Sequence, residues 1–554
     1  MINSTLSAWM RGRRLESILT LLLLAFGAWY WLQYFNRSTN LLDEGSTAAQ
    51  AMRIVNGELV YRDFFTVVTP GSYYTVAWLF RMFGESLMVL RWAALVTGLG
   101  ILLITLTVGR RVMVWPFAAA AGLLTTVWGW FMVTPNFYSL EAALLSLVAL
   151  ACYVYGAPSW RWMIAAGIAA GATAMVKQNV GAYTAAGLFI TIWASRLFDT
   201  EADWRGRMKM SGQLIVGIAV PVMATLLWLV VSGAGPYLYE SWIYYPLVKY
   251  TERFALPFPS FLPLAETDPF DLWTKLAIYL PVVVYPLSFI AIGVLSWRFQ
   301  RRGDRAATNE GHALLAITLV GIMTLLQAWP RADVPHILFG LQPTFILFAY
   351  LLFCGWRGLK MIPGPRVAIA AVAMIVALAP AATLLWKGYK RTDWEYQNYI
   401  VAVRTDRAKG IFTGGLEAQR IDIVTAYIAE HTAPDDPVFV VPWASGFNFL
   451  AERSNPTRTD FMLFEDPEAY PCLLSRLDAR PPKYVIYGYT WDVDDKHFRD
   501  YAAPIDRYIR SRYAIEFSTD GYEIWRRLEE APPATDRYPQ ACQPRRFRLR
   551  DLTG

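Results

Sequence analysis

The chain is poor in charge and in the residues that bind metals or nucleotides. Charged residues make up 17% of its 554 positions, and four histidines and four cysteines are scattered along it. We find no Walker loop, dinucleotide fingerprint or metal-binding Cys/His cluster in the sequence. These absences argue against nucleotide-dependent chemistry and a zinc centre. The net charge of +7 gives no indication of nucleic-acid binding.

Long apolar runs dominate instead, since 55% of the residues are hydrophobic. A helix of about 18 to 22 residues crosses the roughly 30 Å hydrocarbon core of a bilayer. We therefore predict a polytopic α-helical membrane protein with about 11 transmembrane helices. The predicted spans are residues 18–35, 87–108, 112–133, 138–157, 162–176, 180–196, 213–232, 276–297, 313–329, 336–356 and 366–386.

Basic residues predict the orientation, because cytoplasmic loops carry an excess of Lys and Arg. With the first residues placed inside, every inside loop is basic, and the odd number of spans puts the tail outside. The first span has no small-residue cleavage site, so we expect it to be retained. This predicts a multi-pass protein of the cell (inner) membrane. The basic inside segments are Arg11–Arg14, Arg110–Arg111, Arg161, Arg196–Lys209, Arg298–Arg305 and Arg357–Lys360.

The tail, residues 387–554, has a different pattern. Short apolar runs at residues 438–441 and 484–487 alternate with helical stretches near 416–430, 445–452, 467–477 and 496–512, which predicts an extracytoplasmic α/β domain. Cys472 and Cys542 lie in this tail, whereas Cys152 and Cys354 lie in predicted spans. Because an exported domain folds in an oxidising compartment, we predict a Cys472–Cys542 disulfide.

Two adjacent acids, Asp43 and Glu44, directly follow the first span, in a loop of residues 41–86. Carboxylates at a bilayer boundary cost free energy unless they are solvated, paired or functional. The structural alternative is that Asp43 only caps a helix near residues 44–55, which Asn56-Gly57 would end. A second aromatic helix follows Pro70, and both helices could lie at the membrane interface.

The motifs of this loop resemble those of a known family. They are Asp43-Glu44-Gly45, the segment 57–64, the segment 70–74, and residues 83–86 with Arg91. This pattern is similar to the N-terminal half of GT-C membrane glycosyltransferases of the protein O-mannosyltransferase and lipid A aminoarabinose transferase type. The resemblance covers about residues 15–390 in hydropathy and loop order. It implies a transmembrane glycosyltransferase domain, residues 1–386, which takes a sugar from a polyprenyl-phosphate donor at the outer face.

The resemblance also assigns roles to the acids. Asp43 falls where the family has its candidate base, which would deprotonate the acceptor hydroxyl in a single, inverting displacement. Neighbouring helical residues point about 100° apart, so we expect Glu44 to orient or pair rather than share that task. Glu141, near the outer end of the fourth span, could orient the acceptor or bind a divalent metal with Asp43. Its structural alternative is favourable interaction with a helix dipole.

The leaving lipid phosphate requires cations on the same face. Lys177 lies between the fifth and sixth spans, and Arg331 and His336 lie in a short proline-bounded loop. Their alternatives are snorkelling for Lys177, pairing with Asp333 for Arg331 and helix capping for His336. Lys249 and Arg253 are further candidates in the aromatic loop 233–275, which could form a lid. The segment 66–70 lacks the lysine of the aminoarabinose transferases' Glu-Lys-Pro run.

A secondary transporter or lipid-linked sugar flippase is the main alternative function. Such proteins carry ionisable residues near the midplane and often contain a repeated half. Here the polar groups collect on one face, and no internal repeat is evident. The partners expected are the lipid bilayer, a polyprenyl-phosphate-linked sugar, and a lipid, glycan or protein acceptor. A divalent metal ion is compatible with the acids, and the sequence indicates no other cofactor.

Overall fold

A computed structural model describes most of the chain. It covers residues 2–128, 137–198, 203–260, 269–359, 388–391, 393–489 and 496–529, together with residues 382, 385, 386, 494 and 542. Six of the described helices are long and apolar enough to cross a membrane, and the chain is a multi-pass membrane protein.

Fourteen helices precede residue 360 in the described part of the chain, and a π-helix spans Tyr239–Lys249. Ten of the eleven predicted spans coincide with helices, whereas the eleventh, residues 366–386, lies largely outside the described residues, so the count of eleven stays a prediction. The fourteen helices are α1 Ile2–Leu32, α2 Asp43–Val55, α3 Gly71–Phe83, α4 Leu87–Gly109, α5 Trp115–Trp128, α6 Phe137–Gly156, α7 Trp160–Val176, α8 Gln178–Ala194, α9 Trp204–Val231, α10 Tyr250–Phe254, α11 Pro269–Arg302, α12 Arg305–Leu325, α13 Val334–Leu338 and α14 Gln342–Leu359.

Small residues allow a close helix crossing in the bundle. Gly167 of α7 lies against Gly217 of α9, and a Cβ added to Gly167 would lie 2.3 Å from the Leu214 carbonyl oxygen. Only glycine permits this approach, which is the usual way in which membrane helices pack. The crossing fixes α7, whose end at Val176 presents Lys177 in an extended backbone conformation before α8 begins.

Both first-loop helices form as predicted, as α2 and α3. Gly57 and Gly84, with φ of +90° and +87°, follow them. Helix α2 is enclosed rather than lying exposed at an interface, because the C-terminal part of the chain covers it. Gly45 packs on Gly446 so closely that a Cβ at Gly45 would lie 2.7 Å from the Gly446 Cα.

The C-terminal part contains the predicted α/β arrangement. Strands β1 Val401–Ala402 and β2 Phe412–Thr413 pair antiparallel. A second sheet has the order β3-β4-β6-β5, with β3 Val438–Val441 parallel to β4 Tyr484–Gly488. Strands β5 Tyr513–Thr519 and β6 Tyr522–Arg527 form an antiparallel hairpin that the sequence reading missed. The predicted Cys472–Cys542 disulfide is confirmed, with the two Cα atoms 4.9 Å apart.

The predicted C-terminal helices also form, with one correction. Gly415–His431, Gly446–Leu450 and Tyr470–Ala479 match the first three predicted helices. The fourth, predicted as a single helix over 496–512, is broken into Phe498–Tyr501 and Ala503–Arg512. Pro504 explains the break, because proline is accepted in the first turn of a helix and not in its interior.

Candidate active site

Helix α2 begins with an asparagine cap. The Oδ1 atom of Asn40 accepts hydrogen bonds from the backbone N–H groups of Leu42 at 3.0 Å and Asp43 at 2.8 Å. Asn40 therefore satisfies the amide groups that open the helix. The carboxylate of Asp43 makes no capping bond and instead accepts a hydrogen bond from Asn40 Nδ2, at 3.1 Å from its Oδ2 atom. The structure thus gives the capping role, considered above for Asp43, to Asn40.

Asp43 lies at a small cavity of about 60 Å³ between the first loop, the bundle and the C-terminal part. Burial raises the pKa of its carboxyl group, while the Asn40 hydrogen bond and the charges of His336 and Arg331 oppose the rise. A raised pKa makes a carboxylate a better proton acceptor. The cavity is lined by Leu42, Asp43, Ser46, Gln50, Phe65, Thr66, Val67, Tyr73, Tyr138, Thr459, Asp460, Phe461 and Phe464.

Glu44 points away from this cavity into a closed ion pair. Both of its oxygens accept from Arg91 of α4, with Arg91 Nη2 2.6 Å from Glu44 Oε2. The remaining Arg91 N–H groups donate to the carbonyl oxygens of Phe35, Arg37 and Ser38. Glu44 is 1% exposed and Arg91 3% exposed. The pair therefore ties the start of α2 to the end of the first span.

Lys177 is the most deeply buried of the five candidate phosphate-binding residues, with 6% exposure. Its Nζ atom donates to Ser139 Oγ at 3.0 Å and lies 5.6 Å from the centre of the Tyr138 ring. Within the described residues, no carboxylate lies within 4 Å of this ammonium group. Burial lowers the pKa of Lys177 to about 8, and the charge of Asp333 opposes that change.

Arg331 and His336 belong to a charged network around Asp333. Arg331 Nε lies 2.6 Å from Asp333 Oδ2, and Arg331 Nη2 lies 2.9 Å from Asp494 Oδ1. The other Asp333 oxygen contacts His336 Nδ1 and accepts from its backbone N–H, so Asp333 caps α13. The pairing of Arg331 with Asp333, considered as an alternative above, is present. A phosphate would have to share this guanidinium with two carboxylates.

Lys249 and Arg253 contact the C-terminal part of the chain. Lys249 Nζ lies 3.7 Å from Asp466 Oδ2 and 3.8 Å from Glu252 Oε2. Arg253 donates to the carbonyl oxygen of Glu465, and its own carbonyl oxygen accepts from Lys496. The structure therefore places both residues in the joint between the 239–254 segment and the C-terminal part.

Glu141 lies in the second turn of α6 and accepts a hydrogen bond from Thr75 Oγ1 of α3 at 2.9 Å. A metal role for Asp43 together with Glu141 stays a prediction. Among the described residues, no group of three or more His, Cys, Asp or Glu side chains could hold a metal ion. We therefore derive no step through a metal.

Sequence reasoning missed three residues of the site. Asn40 could have been found, since an Asn three residues before an acid at a helix start is a capping signal. Gln50 and Asp460 gave no such signal. Asp460 reaches the cavity from a position more than 400 residues after α2, and only the tertiary structure brings the two together.

Comparison with known proteins shows a likeness in structure alone. No family model matches the sequence, and no curated protein matches it. Among solved structures, ArnT from Cupriavidus metallidurans in the apo state has a TM-score of 0.56 at 14% identity, with 94% of this chain and 98% of that chain covered. The same enzyme bound to undecaprenyl phosphate has a TM-score of 0.51 at 14% identity, covering 95% and 99%.

A second enzyme is similar over nearly the whole of this chain. The oligosaccharyltransferase AglB from Archaeoglobus fulgidus, in complex with an inhibitory peptide and a dolichol-phosphate, has a TM-score of 0.52 at 14% identity, covering 94% of this chain and 75% of that one. These structural neighbours are GT-C glycosyltransferases. The resemblance inferred from the first loop is thereby confirmed at the level of the fold: this chain has the GT-C fold.

Proposed function

We propose that the protein is an inverting glycosyltransferase that moves a sugar from a polyprenyl-phosphate carrier to an acceptor hydroxyl. Asp43 is the general base, and Lys177 meets the charge of the leaving phosphate. The reaction takes place at the outer face of the cell (inner) membrane, with the C-terminal part of the chain on the same side. The bound undecaprenyl phosphate of ArnT and dolichol-phosphate of AglB support a lipid-linked donor.

One observation carries the proposal: the candidate base and the buried cation meet at the same residue. Tyr138 lines the cavity that holds the Asp43 carboxylate, and Lys177 Nζ lies 5.6 Å from the Tyr138 ring. Glycosyl transfer from a lipid phosphate needs a proton acceptor beside the nucleophile and a cation beside the leaving group. Lys177, whose described partners are neutral, is free of the carboxylate competition that Arg331 meets.

In this step Asp43 takes up the proton and Lys177 compensates the charge of the leaving group. The acceptor O–H proton passes to an Asp43 oxygen as the acceptor oxygen attacks the anomeric carbon from the side opposite the phosphate. The bond between the anomeric carbon and the phosphate oxygen breaks, and its electron pair leaves with the carrier phosphate. Lys177 stabilises that charge in a site from which bulk water is largely excluded. One displacement inverts the anomeric configuration.

Arg331, His336, Lys249, Arg253 and Glu141 take supporting parts in this proposal. Arg331 and His336 stabilise the charged form of Asp43, which opposes the rise in its pKa that burial causes. Lys249 and Arg253 hold the 239–254 segment over the site through their contacts with the C-terminal part. Glu141 anchors α6, and therefore Tyr138 one turn earlier, to α3.

The test uses the purified full chain in lipid vesicles. It is incubated with undecaprenyl phosphate carrying different sugars, and bare undecaprenyl phosphate and glycosylated product are measured together. We expect one sugar to be transferred with stoichiometric release of the bare carrier. NMR of the product should show an inverted anomeric centre. Movement of intact lipid-linked sugar between leaflets, without release of the carrier, would instead support a flippase.

A further inference from the structure

Two buried oxygen atoms at the Asp43 cavity have no hydrogen-bond donor among the described residues. They are Asp460 Oδ2 and Gln50 Oε1. Asp460 is 2% exposed and Gln50 7% exposed, so neither is solvated at a surface. Both side chains line the cavity together with Asp43. A buried acceptor without a donor costs free energy, and a molecule bound in the cavity could supply the missing hydrogens to both atoms.

The orientation of both atoms is fixed by their partner atoms. Asp460 Oδ1 accepts from Asn455 Nδ2 at 2.9 Å and from Arg53 Nη1 at 3.3 Å, which leaves Oδ2 as the unused oxygen. Gln50 Nε2 faces the carbonyl oxygen of Phe65 at 3.5 Å. Because a carbonyl oxygen needs a donor, that contact directs the amide nitrogen to Phe65 and the amide oxygen elsewhere.

Two carboxylates, those of Asp43 and Asp460, belong to residues that line the same cavity. Burial raises the pKa of the Tyr73 hydroxyl, and the negative charges of Asp460 and Asp43 both add to that rise. Tyr73 therefore lies within the electrostatic reach of both acids. Arg53 pairs with Asp460 at 3.3 Å and with Glu58 at 2.7 Å, and it is not among the residues that line the cavity. Because Asp460 already has a cationic partner in Arg53, its unused oxygen suits a neutral hydrogen-bond donor.

We propose that Asp460 and Gln50 form a sugar-binding subsite that accepts hydrogen bonds from ring hydroxyl groups. This inference rests on the proposed function, because it places the subsite beside the proposed base. A sugar ring supplies several neutral O–H donors within a few ångströms, which matches two acceptor oxygens in a single cavity. The sugar belongs either to the lipid-linked donor or to a glycan acceptor, and the chemistry of recognition is the same for both.

Binding measurements on the full-length protein in nanodiscs test the subsite without requiring turnover. The donor arm compares the affinity for bare undecaprenyl phosphate with that for undecaprenyl phosphate carrying glucose, mannose or arabinose. The acceptor arm measures the binding of the corresponding free methyl glycosides by ligand-observed NMR, with bare undecaprenyl phosphate already bound. If the subsite binds the donor sugar, the sugar-bearing carrier binds more tightly than the bare carrier in the first arm. If it binds a glycan acceptor, a methyl glycoside binds in the second arm.

We expect Asp460→Asn and Gln50→Met each to lose about tenfold or more in sugar-dependent affinity, the size of a hydrogen bond to a buried acceptor. Affinity for the bare carrier should not change. Glu58→Gln is the matched control, because it removes the other carboxylate partner of Arg53 and does not touch the cavity. It should bind every probe as the native protein does.

The subsite is overturned if both variants discriminate between sugar-bearing and bare ligands as the native protein does. Native protein that recognises no sugar in either arm would equally reject it, and the cavity would then hold water alone. An equal loss in Glu58→Gln would point to disturbance of Arg53 rather than to lost sugar contacts. Because no arm requires transfer, a protein that binds sugar through Asp460 yet transfers none would refute the proposed function and keep this inference.

Discussion

The two sides of α2 hold adjacent carboxylates in opposite surroundings. On one side, Asp43 has one side-chain donor among the described residues, the neutral Asn40, and lines a cavity. On the other, Glu44 has both oxygens bound by Arg91, which is itself saturated by three carbonyl oxygens. The carboxylate of Asp43 can therefore still accept a hydrogen bond or a proton, whereas the carboxylate of Glu44 is fully occupied.

Neighbouring positions of one helix thus serve different purposes: Asp43 is placed for the proposed reaction, and Glu44 holds the helix to the first span. Successive side chains diverge by about 100°, so Asp43 and Glu44 point to different sides of the helix. A carboxylate whose lone pairs are filled by an arginine fork has little capacity left to accept a proton. A carboxylate with one weak donor and a raised pKa retains that capacity.

Asp43→Asn should give the largest effect. Asparagine keeps the size and the contact with Asn40 but cannot take the acceptor proton, so we expect transfer to fall by about 10²- to 10⁴-fold. Folding should be unaffected because Asn40, rather than Asp43, caps α2. The checks are the transfer rate and the unfolding midpoint of the same preparation. Native transfer by this variant would mean that Asp43 is not the base, and Glu141 would become the candidate.

Glu44→Gln should have the opposite effect to Asp43→Asn. It should lower the stability of the protein more than it weakens donor binding. Removing one member of a buried ion pair leaves the other uncompensated, which lowers the free energy of unfolding by about 3–5 kcal/mol. Equilibrium unfolding in mixed detergent micelles measures this change. Glu16→Gln is the matched control, because the Glu16–Arg110 pair lies at the other end of the first span and is 42% and 31% exposed. It should cost less than about 1 kcal/mol.

An unchanged unfolding free energy in Glu44→Gln would mean that Arg91 is held by the three carbonyl oxygens alone. The contrast between the two sides of α2 would then not depend on the ion pair. Loss of transfer in Glu44→Gln without loss of stability would give Glu44 a part in the reaction instead.

The sequence predicted the spans well because the signal for a span is local. A run of about 20 apolar residues must cross the bilayer as a helix whatever its neighbours do, so α4, α6, α9 and α11 could be located without tertiary information. The β5–β6 hairpin was missed although Asp520-Gly521 is a two-residue turn signal, and Gly521 has the φ of +94° that such turns require. From the sequence, only the runs 438–441 and 484–487 were named as strand candidates, and no structure was assigned to 513–527.

The sequence could identify a site residue only where that residue belongs to a recognisable local motif. Asp43 stood out because two acids beside a membrane span are rare. The saturation of Arg331 by Asp494 and the approach of Asp460 to Asp43 depend on contacts between segments more than 150 residues apart. Such contacts leave no periodic pattern in the chain. Composition alone therefore could not rank Lys177 above Arg331 as a phosphate ligand.

Lys177→Met should weaken donor binding by about 1.5–3 kcal/mol, the range for hydrogen bonds to charged groups. Arg331→Met should weaken it less, since Asp333 and Asp494 already neutralise that guanidinium. Titration with bare undecaprenyl phosphate measures both. Lys209→Met, an exposed residue near the start of α9, is the control and should bind normally. If Lys177→Met also binds normally, the phosphate lies elsewhere, and the 239–254 segment becomes the candidate.

The smallest predicted effect is a pH dependence that Lys177 imposes on donor binding. Burial lowers its pKa to about 8, so the empty protein loses the ammonium charge above that pH. A bound phosphate favours the charged form and must then restore the proton. Affinity for undecaprenyl phosphate should therefore be constant from about pH 7 to 8 and fall by up to about tenfold per pH unit above 8.

Stability should change in the opposite direction over the same range, which separates this lysine from general alkaline damage. An unfolded lysine holds its proton to about pH 10.4, so between pH 8 and 10.4 the unfolded chain binds more protons than the folded one. The Lys177 contribution to the unfolding free energy of the empty protein then rises with pH, seen as the difference between native protein and Lys177→Met. Lys177→Arg keeps its charge throughout and should bind the carrier equally at pH 7 and pH 9. If native protein and Lys177→Arg show the same fall in affinity, the charge of Lys177 does not hold the phosphate.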